Sequence, residues 1–178
     1  MAESTKKANV IRLKGLEKVE TAPLAADGGL GTEWTEWGST TPDSFVITKG
    51  DDSVTEEFIE EAEDAIDEIT TQKGLREVTW STKNVHSDVF LAIAGGSFDQ
   101  ASQTWSEDAN ADAREVSLRA TSKTGIVVTI ARVKIRISGD LKFSKNALSQ
   151  LTIKGKQLAP LKAGVKGFTI QYPNASGE

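Results

Sequence analysis

The sequence predicts a mainly β domain, a sandwich or barrel with one short flanking α-helix at about residues 85–94 and long loops. Three observations predict it: a long hairpin pattern starting at Arg114, several short β-patterned runs divided by turn residues, and a single helical stripe.

In the hairpin, Val116, Leu118 and Ala120 alternate with Ser117, Arg119 and Thr121, Thr121-Ser122-Lys123-Thr124-Gly125 supplies a turn, and Ile126 opens a longer apolar run. Ile126, Val128 and Ile130 share one face of that run, while Val133, Ile135 and Ile137 share the next. The phase slips by one residue at Ala131-Arg132, which calls for a β-bulge. Beyond the slip Arg132, Lys134 and Arg136 point together, opposite the isoleucines. With Lys154 they make an expected inter-subunit basic face.

Taken in order, residues 1–8 read as a disordered lead, 9–172 as one domain and 173–178 as a flexible tail. Val10, Ile11, Leu13 and Leu16 suggest an extended, partly buried arm that ends at Pro23. A glycine loop follows, then Trp34 and Trp37, then a short strand at Phe45–Thr48. Residues 54–69 carry Phe58, Ile59, Ala62, Ala65, Ile66 and Ile69 at helical spacing, so periodicity alone predicts an amphipathic helix there. The lack of a stop signal and the density of like charge argue against it. Val78 and Trp80 alternate with Thr79 and Ser81 as a strand. Asn84 is the expected cap of a helix with Val85, Val89, Phe90 and Ile93 on its apolar stripe and Gly95-Gly96 as its stop. Ser97 to Asp112 reads as polar loop, Lys145–Ser149 as a turn of helix, and Leu151–Lys154 and Phe168–Tyr172 as strands.

The formal charge of −5 hides a strong asymmetry. Residues 51–68 hold ten carboxylates and no lysine or arginine, whereas 119–166 hold eleven basic residues against the single acid Asp140. Opposed blocks on different surfaces draw copies together head to tail, the arrangement that closes rings or extends filaments. There is no cysteine, which excludes disulfides and thiolate chemistry. No segment reaches the run of about 18 apolar residues that reads as a membrane-spanning helix, and no export signal or membrane partner is expected.

No catalytic set emerges. His86-Ser87-Asp88 has the letters of a hydrolase triad, but adjacent residues cannot present those groups to one another, and a capping or surface role suits His86 better. Asp108-x-Asn110-x-Asp112 starts like a calcium loop, then has Ala113 in place of the glycine and Arg119 in place of the bidentate glutamate. Cofactors, metals and enzymatic activity are therefore not expected. The four tryptophans suit packing better than sugar stacking, although Trp34 and Trp37 keep a carbohydrate-binding β-sandwich open as an alternative.

Val78-Thr79-Trp80-Ser81 followed by Asp88-Val89-Phe90-Leu91-Ala92-Ile93-Ala94-Gly95-Gly96, and Ala147-Leu148-Ser149-Gln150-Leu151-Thr152-Ile153-Lys154-Gly155 followed by Leu158-Ala159-Pro160, resemble the major tail tube proteins of long-tailed bacteriophages. The resemblance covers about residues 40–172 as a pattern of elements and turns. It implies a β-sandwich-like tail tube fold, copies closed into rings that are hexameric in most of the family, and rings stacked into the conduit for phage DNA. It implies a virion location after assembly in the host cytoplasm, with tape-measure and tail terminator or baseplate proteins as partners. DNA passes without specific binding, because an acidic lining repels phosphates. Glu56, Glu57, Glu60, Glu61, Glu63 and Asp64 are then expected at the lumen or on a stacking loop, and residues 54–72 are expected to be extended. The inner tube of a contractile injection or type VI secretion apparatus is the nearest alternative.

Overall fold

The computed structural model describes residues 10–58, 60, 67–108, 113–138 and 141–173, which hold twelve strands and one helix. In chain order the strands are β1 (Leu16–Pro23), β2 (Thr35–Glu36), β3 (Val46–Lys49), β4 (Ser53–Glu57), β5 (Asp67–Gln72), β6 (Arg76–Thr82), β7 (Ser97–Asp99), β8 (Thr104–Ser106), β9 (Arg114–Ser122), β10 (Val127–Ser138), β11 (Leu151–Gln157) and β12 (Phe168–Gln171). Helix α1 (Ser87–Ile93) lies between β6 and β7 in the chain. The mainly β class with one short helix is the one the alternation predicts. The lead at 1–8, the calcium-like positions 109–112 and residues 174–178 of the tail lie outside the described residues.

The β9–β10 hairpin turns at Ser122, whose hydroxyl accepts the Ile126 N–H while its carbonyl accepts from Gly125, held at φ 79°. The expected bulge is present, since pairing with β9 shifts register between Ile130 and Val133. The bulge leaves Ala131 and Arg132 off the β9 ladder, and both backbone groups of Ala131 find partners. Its carbonyl accepts from the Ser117 hydroxyl at 2.7 Å, and its N–H donates to the Gly167 carbonyl at 3.1 Å. Ser117 is fully buried and also accepts the Gly31 N–H, so one hydroxyl ties the bulge to the loop after β1.

All ladders of the main sheet are antiparallel, in the order β2-β1-β9-β10-β11-β6-β3, and β12 continues the line of β11 along the first part of β10. Residues 35–41 link β1, near one end of this order, to β6, the strand next to the other. β2 pairs with β1, the Trp37 N–H donates to the Val19 carbonyl, Thr40 bridges Thr82, and the Thr41 N–H donates to the Ser81 carbonyl. The sheet is thereby barrel-like, which leaves fewer open edges than a flat sheet would. Its core gathers Val19, Trp37, Val78, Trp80, Leu118, Val133, Ile135 and Ile153, with Val89 and Ile93 of α1 packed onto it. Gly155 lets β11 pass between its neighbours, because a Cβ there would lie 2.6 Å from Val133 Cγ1 and 2.8 Å from Val78 Cγ1.

Several expectations are corrected. The arm at Val10, Ile11 and Leu13 is not partly buried; these residues are 76%, 55% and 68% exposed, and the strand begins only at Leu16. The cap of α1 is His86, whose Nδ1 accepts the Asp88 N–H, while Asn84 stands one step earlier and accepts the His86 N–H. Val85 is consequently exposed rather than on the apolar stripe. Gly95 and Gly96, at φ 77° and 80°, end the helix as expected. Residues 97–106 are not loop but the β7–β8 hairpin, which covers α1 by stacking Trp105 on Phe90 at 4.9 Å and donating its indole N–H to the Gly95 carbonyl. No helical turn forms at 145–149. In the 54–69 stretch the helix is replaced at 54–57 and 67–69 by strand, as the resemblance implied.

Candidate functional site

β3 and β6 pair from Val46↔Thr79 to Lys49↔Arg76, and the same two chain segments continue beyond the barrel as β4 paired with β5. The crossing point is tight. Gly50 donates its N–H to the Leu75 carbonyl, Gly74 donates to the Asp52 carboxylate at 2.8 Å, and Lys49 Nζ pairs with Asp52 at 3.0 Å. A side chain on Gly74 would collide with the Gly50 carbonyl. The Gly74 N–H, ahead of Lys49, holds the Asp52 carboxyl below the usual carboxylate range. From Gly50 to Glu57 the ribbon extends about 24 Å at the usual strand rise, and every residue of β4 and β5 is exposed.

Register sets like charges opposite one another on this ribbon. Glu56 faces Glu68 and Glu57 faces Asp67 across the strands. Directly opposed like charges destabilise a ladder unless a cation intervenes, and none of these four carboxylates is in an ion pair with a described residue. Glu60 follows, also exposed; Glu61, Glu63 and Asp64 lie outside the described residues.

The barrel carries the complement. On its outer face Arg136 sits opposite Lys154 and Lys134 opposite Lys156, all four exposed and none in an ion pair with a described residue. Glu115 and Glu77 flank the Lys134–Lys156 row, but the Arg136–Lys154 row meets only Thr79 on β6. Arg132 leaves the expected face. At the bulge its guanidinium turns to Glu115, with contacts of 2.9 and 2.8 Å, and donates to the Ala159 carbonyl. That hydrogen bond from Arg132 holds the Glu115 carboxyl below its ordinary range. The structure thus groups Lys134, Arg136 and Lys154, adds Lys156, and assigns Arg132 to an internal pair.

The tryptophans do not form a sugar platform. Trp37 is buried in the barrel with its indole N–H on the Thr21 hydroxyl at 2.7 Å, while Trp34 lies under the Arg119 guanidinium at 4.3 Å. His86 and Asp88 touch at 3.2 Å on the surface. Among the described residues no group of three His, Cys, Asp or Glu side chains is arranged to hold a metal.

One buried charge went unnoticed in the sequence. Glu20 on β1 faces Arg119 on β9 and receives its Nε and Nη2 at 2.8 and 3.0 Å, with Lys18 Nζ at 3.2 Å. The Arg119 hydrogen bond outweighs burial and holds the Glu20 carboxyl below its ordinary 4.5. A lowered folded-state value means a stabilisation fully present above that ordinary value and lost as pH falls through the folded one. The urea midpoint of the wild type is therefore expected to fall on acidification below about pH 4.5, and Glu20→Gln is expected to flatten part of that fall. Equal slopes for the two proteins would count against the pair.

No protein-family model matches this chain, and no curated protein matches it.

Proposed function

We propose that this protein is a structural protein of the phage tail tube kind, whose copies close into rings and whose rings stack into a conduit for phage DNA. The observation that carries the reading is the presence, on one chain, of an acidic ribbon projecting from the barrel and a cationic ladder on the barrel wall. Each ladder repels itself across its own strands, so each gains by meeting the other on a second copy. A contact between two different surfaces of identical chains is heterologous, which generates rings or filaments rather than closed pairs. The tail tube resemblance in the sequence supplies the specific assembly: a virion tube, with tape-measure and terminator or baseplate proteins at its ends. In this assembly Glu56, Glu57, Asp67 and Glu68 of one ring lie against Arg136 and Lys154 of the next.

Negative-stain electron microscopy of the purified protein, at high concentration in low and in high salt, tests this. Rings or hollow tubes are expected in low salt, with shorter tubes as salt compresses the Debye length from about 10 Å at 0.1 M to about 3 Å at 1 M. Tubes indifferent to salt would retain the assembly and remove the charge ladders from it. A persistent monomer at high concentration in low salt would overturn the reading.

A further inference from the structure

We infer that the exposed N-terminal arm, Val10 to Lys14, is a docking strand that enters a slot beside β1 on a second copy. The slot is a cavity of about 720 Å³ lined by the start of β1, the end of β9 and residues 38–47. Leu16, Val19, Phe45, Ile47 and Val128 give it apolar walls. Backbone groups are open on both sides. β2 covers only Glu20 and Thr21 of β1, Trp37 adds Val19, and so Leu16 to Lys18 have no strand on their outer edge among the described residues. β3 ends the sheet order, paired with β6 alone. A strand added there would gain main-chain hydrogen bonds and bury alternate side chains, the usual chemistry of strand addition.

The arm has the matching composition. Val10, Ile11 and Leu13 are largely exposed, while Arg12 and Lys14 carry positive charge between and beside them. The slot rim carries Glu17, Glu36 and Asp43, none in an ion pair with a described residue, whereas its Lys18 is held by Glu20. The remaining cation there, Lys123, lies with its stem against Gly15. The arm's own slot is a poor destination. Gly15 stands at φ 61° and its carbonyl accepts the Lys123 N–H at 3.2 Å, one step beyond the Leu16–Ser122 pair that opens the β1–β9 ladder, and a left-handed residue there breaks the extended run between the arm and β1. Leu13 lines the slot yet stays 68% exposed, and Val10 is 76% exposed. An apolar, basic arm and an apolar, acid-rimmed slot, neither with a strand beside it among the described residues, fit one another between copies.

The inference deepens the self-assembly reading, from which it takes only that copies meet. Because the chain has no cysteine, single thiols can be introduced without background. Differently tagged full-length Ile11→Cys and Glu36→Cys proteins, mixed and oxidised, are expected to form the disulfide heterodimer about ten-fold or more faster than Ile11→Cys mixed with Ser102→Cys on the β7–β8 turn, through the raised effective concentration of docked partners. Adding Arg12→Glu and Lys14→Glu to the arm is expected to remove that advantage. Equal rates for the two mixtures would overturn the inference, as would a double Ile11→Cys, Glu36→Cys chain that closes only within itself. Microscopy on the same samples separates the two readings. Tubes without the preferred cross-link keep the tube and reject the arm; the preferred cross-link without rings or tubes keeps the arm and rejects the tube.

Discussion

Trp80→Ala is expected to remove a large share of the folding stability. Trp80 is wholly buried on β6, edge-on to Trp37 at a centroid distance of 5.5 Å and 6.3 Å from Phe45, and it faces Ile153 across the ladder to β11. The ring therefore packs among Trp37 of the closing segment, Phe45 just before β3 and the barrel wall, so no single neighbour can shift to fill its space. Truncating a buried tryptophan costs about 3–5 kcal/mol, against a total stability of about 5–15 kcal/mol for an ordinary domain. Its indole N–H is buried with no hydrogen-bond partner among the described residues, a state that costs about 1–3 kcal/mol where a polar group loses water and gains nothing. Trp80→Phe removes that liability along with part of the ring, and its loss should be much the smaller of the two. Urea titrations followed by far-ultraviolet circular dichroism would show this as a large fall in midpoint for alanine and a small one for phenylalanine, with the denaturant slope unchanged. Equal falls would mean that the second ring of the indole, and not aromatic packing as such, holds the seam.

The contrast between what was legible in the sequence and what was not follows the range of the interactions. Alternation from Val116 to Ile137 and its slip at Ala131 are local, so the hairpin and its bulge could be read directly. So could the strand around Trp80 and the Gly95-Gly96 stop of α1. Residues 35–41 join β1 to β6 through partners at Val19 to Thr21 and at Ser81 to Lys83, which are distant from one another in the chain, and nothing in the segment's own pattern announces that. The β7–β8 hairpin has too few apolar residues to alternate; its reason for forming is Trp105 covering Phe90. At 54–69 helical spacing competes with pairing between β4 and β5, and pairing prevails at 54–57 and 67–69, because both strands continue a ladder already set by β3 and β6. The charge blocks were visible as counts, but the opposition of Glu56 to Glu68 and of Arg136 to Lys154 needs the registers of two separate ladders. Arg132 was grouped with the exposed cations because the bulge was read for its phase and not for the carboxylate of Glu115 that it brings within reach.

Reversing Arg136 and Lys154 together to glutamate is expected to abolish tube growth while leaving the subunit folded. Both side chains are exposed and neither is in an ion pair with a described residue, so the monomer should change by no more than about 0.5 kcal/mol. At the proposed contact the effect is far larger. Exposed ion pairs bring only about 0.2–1 kcal/mol each, but a like-charge juxtaposition at an interface costs several kcal/mol, and the reversal sets new carboxylates against Glu56, Glu57, Asp67 and Glu68. Reversing Glu56 and Glu68 to lysine alone should block growth equally, since it presents cations to Arg136 and Lys154. The decisive protein carries all four changes on one chain: its Glu56–Glu68 row and its Arg136–Lys154 row are again opposite in sign, only exchanged, so it should recover tubes with itself and co-assemble poorly with the wild type. Sedimentation and microscopy of the two pair variants, the fourfold variant and its mixture with tagged wild type would read this out. Loss of tubes in the pair variants without recovery in the fourfold variant would show that those residues matter for some reason other than mutual attraction, because only an electrostatic contact between the two ladders is indifferent to which of them carries which sign.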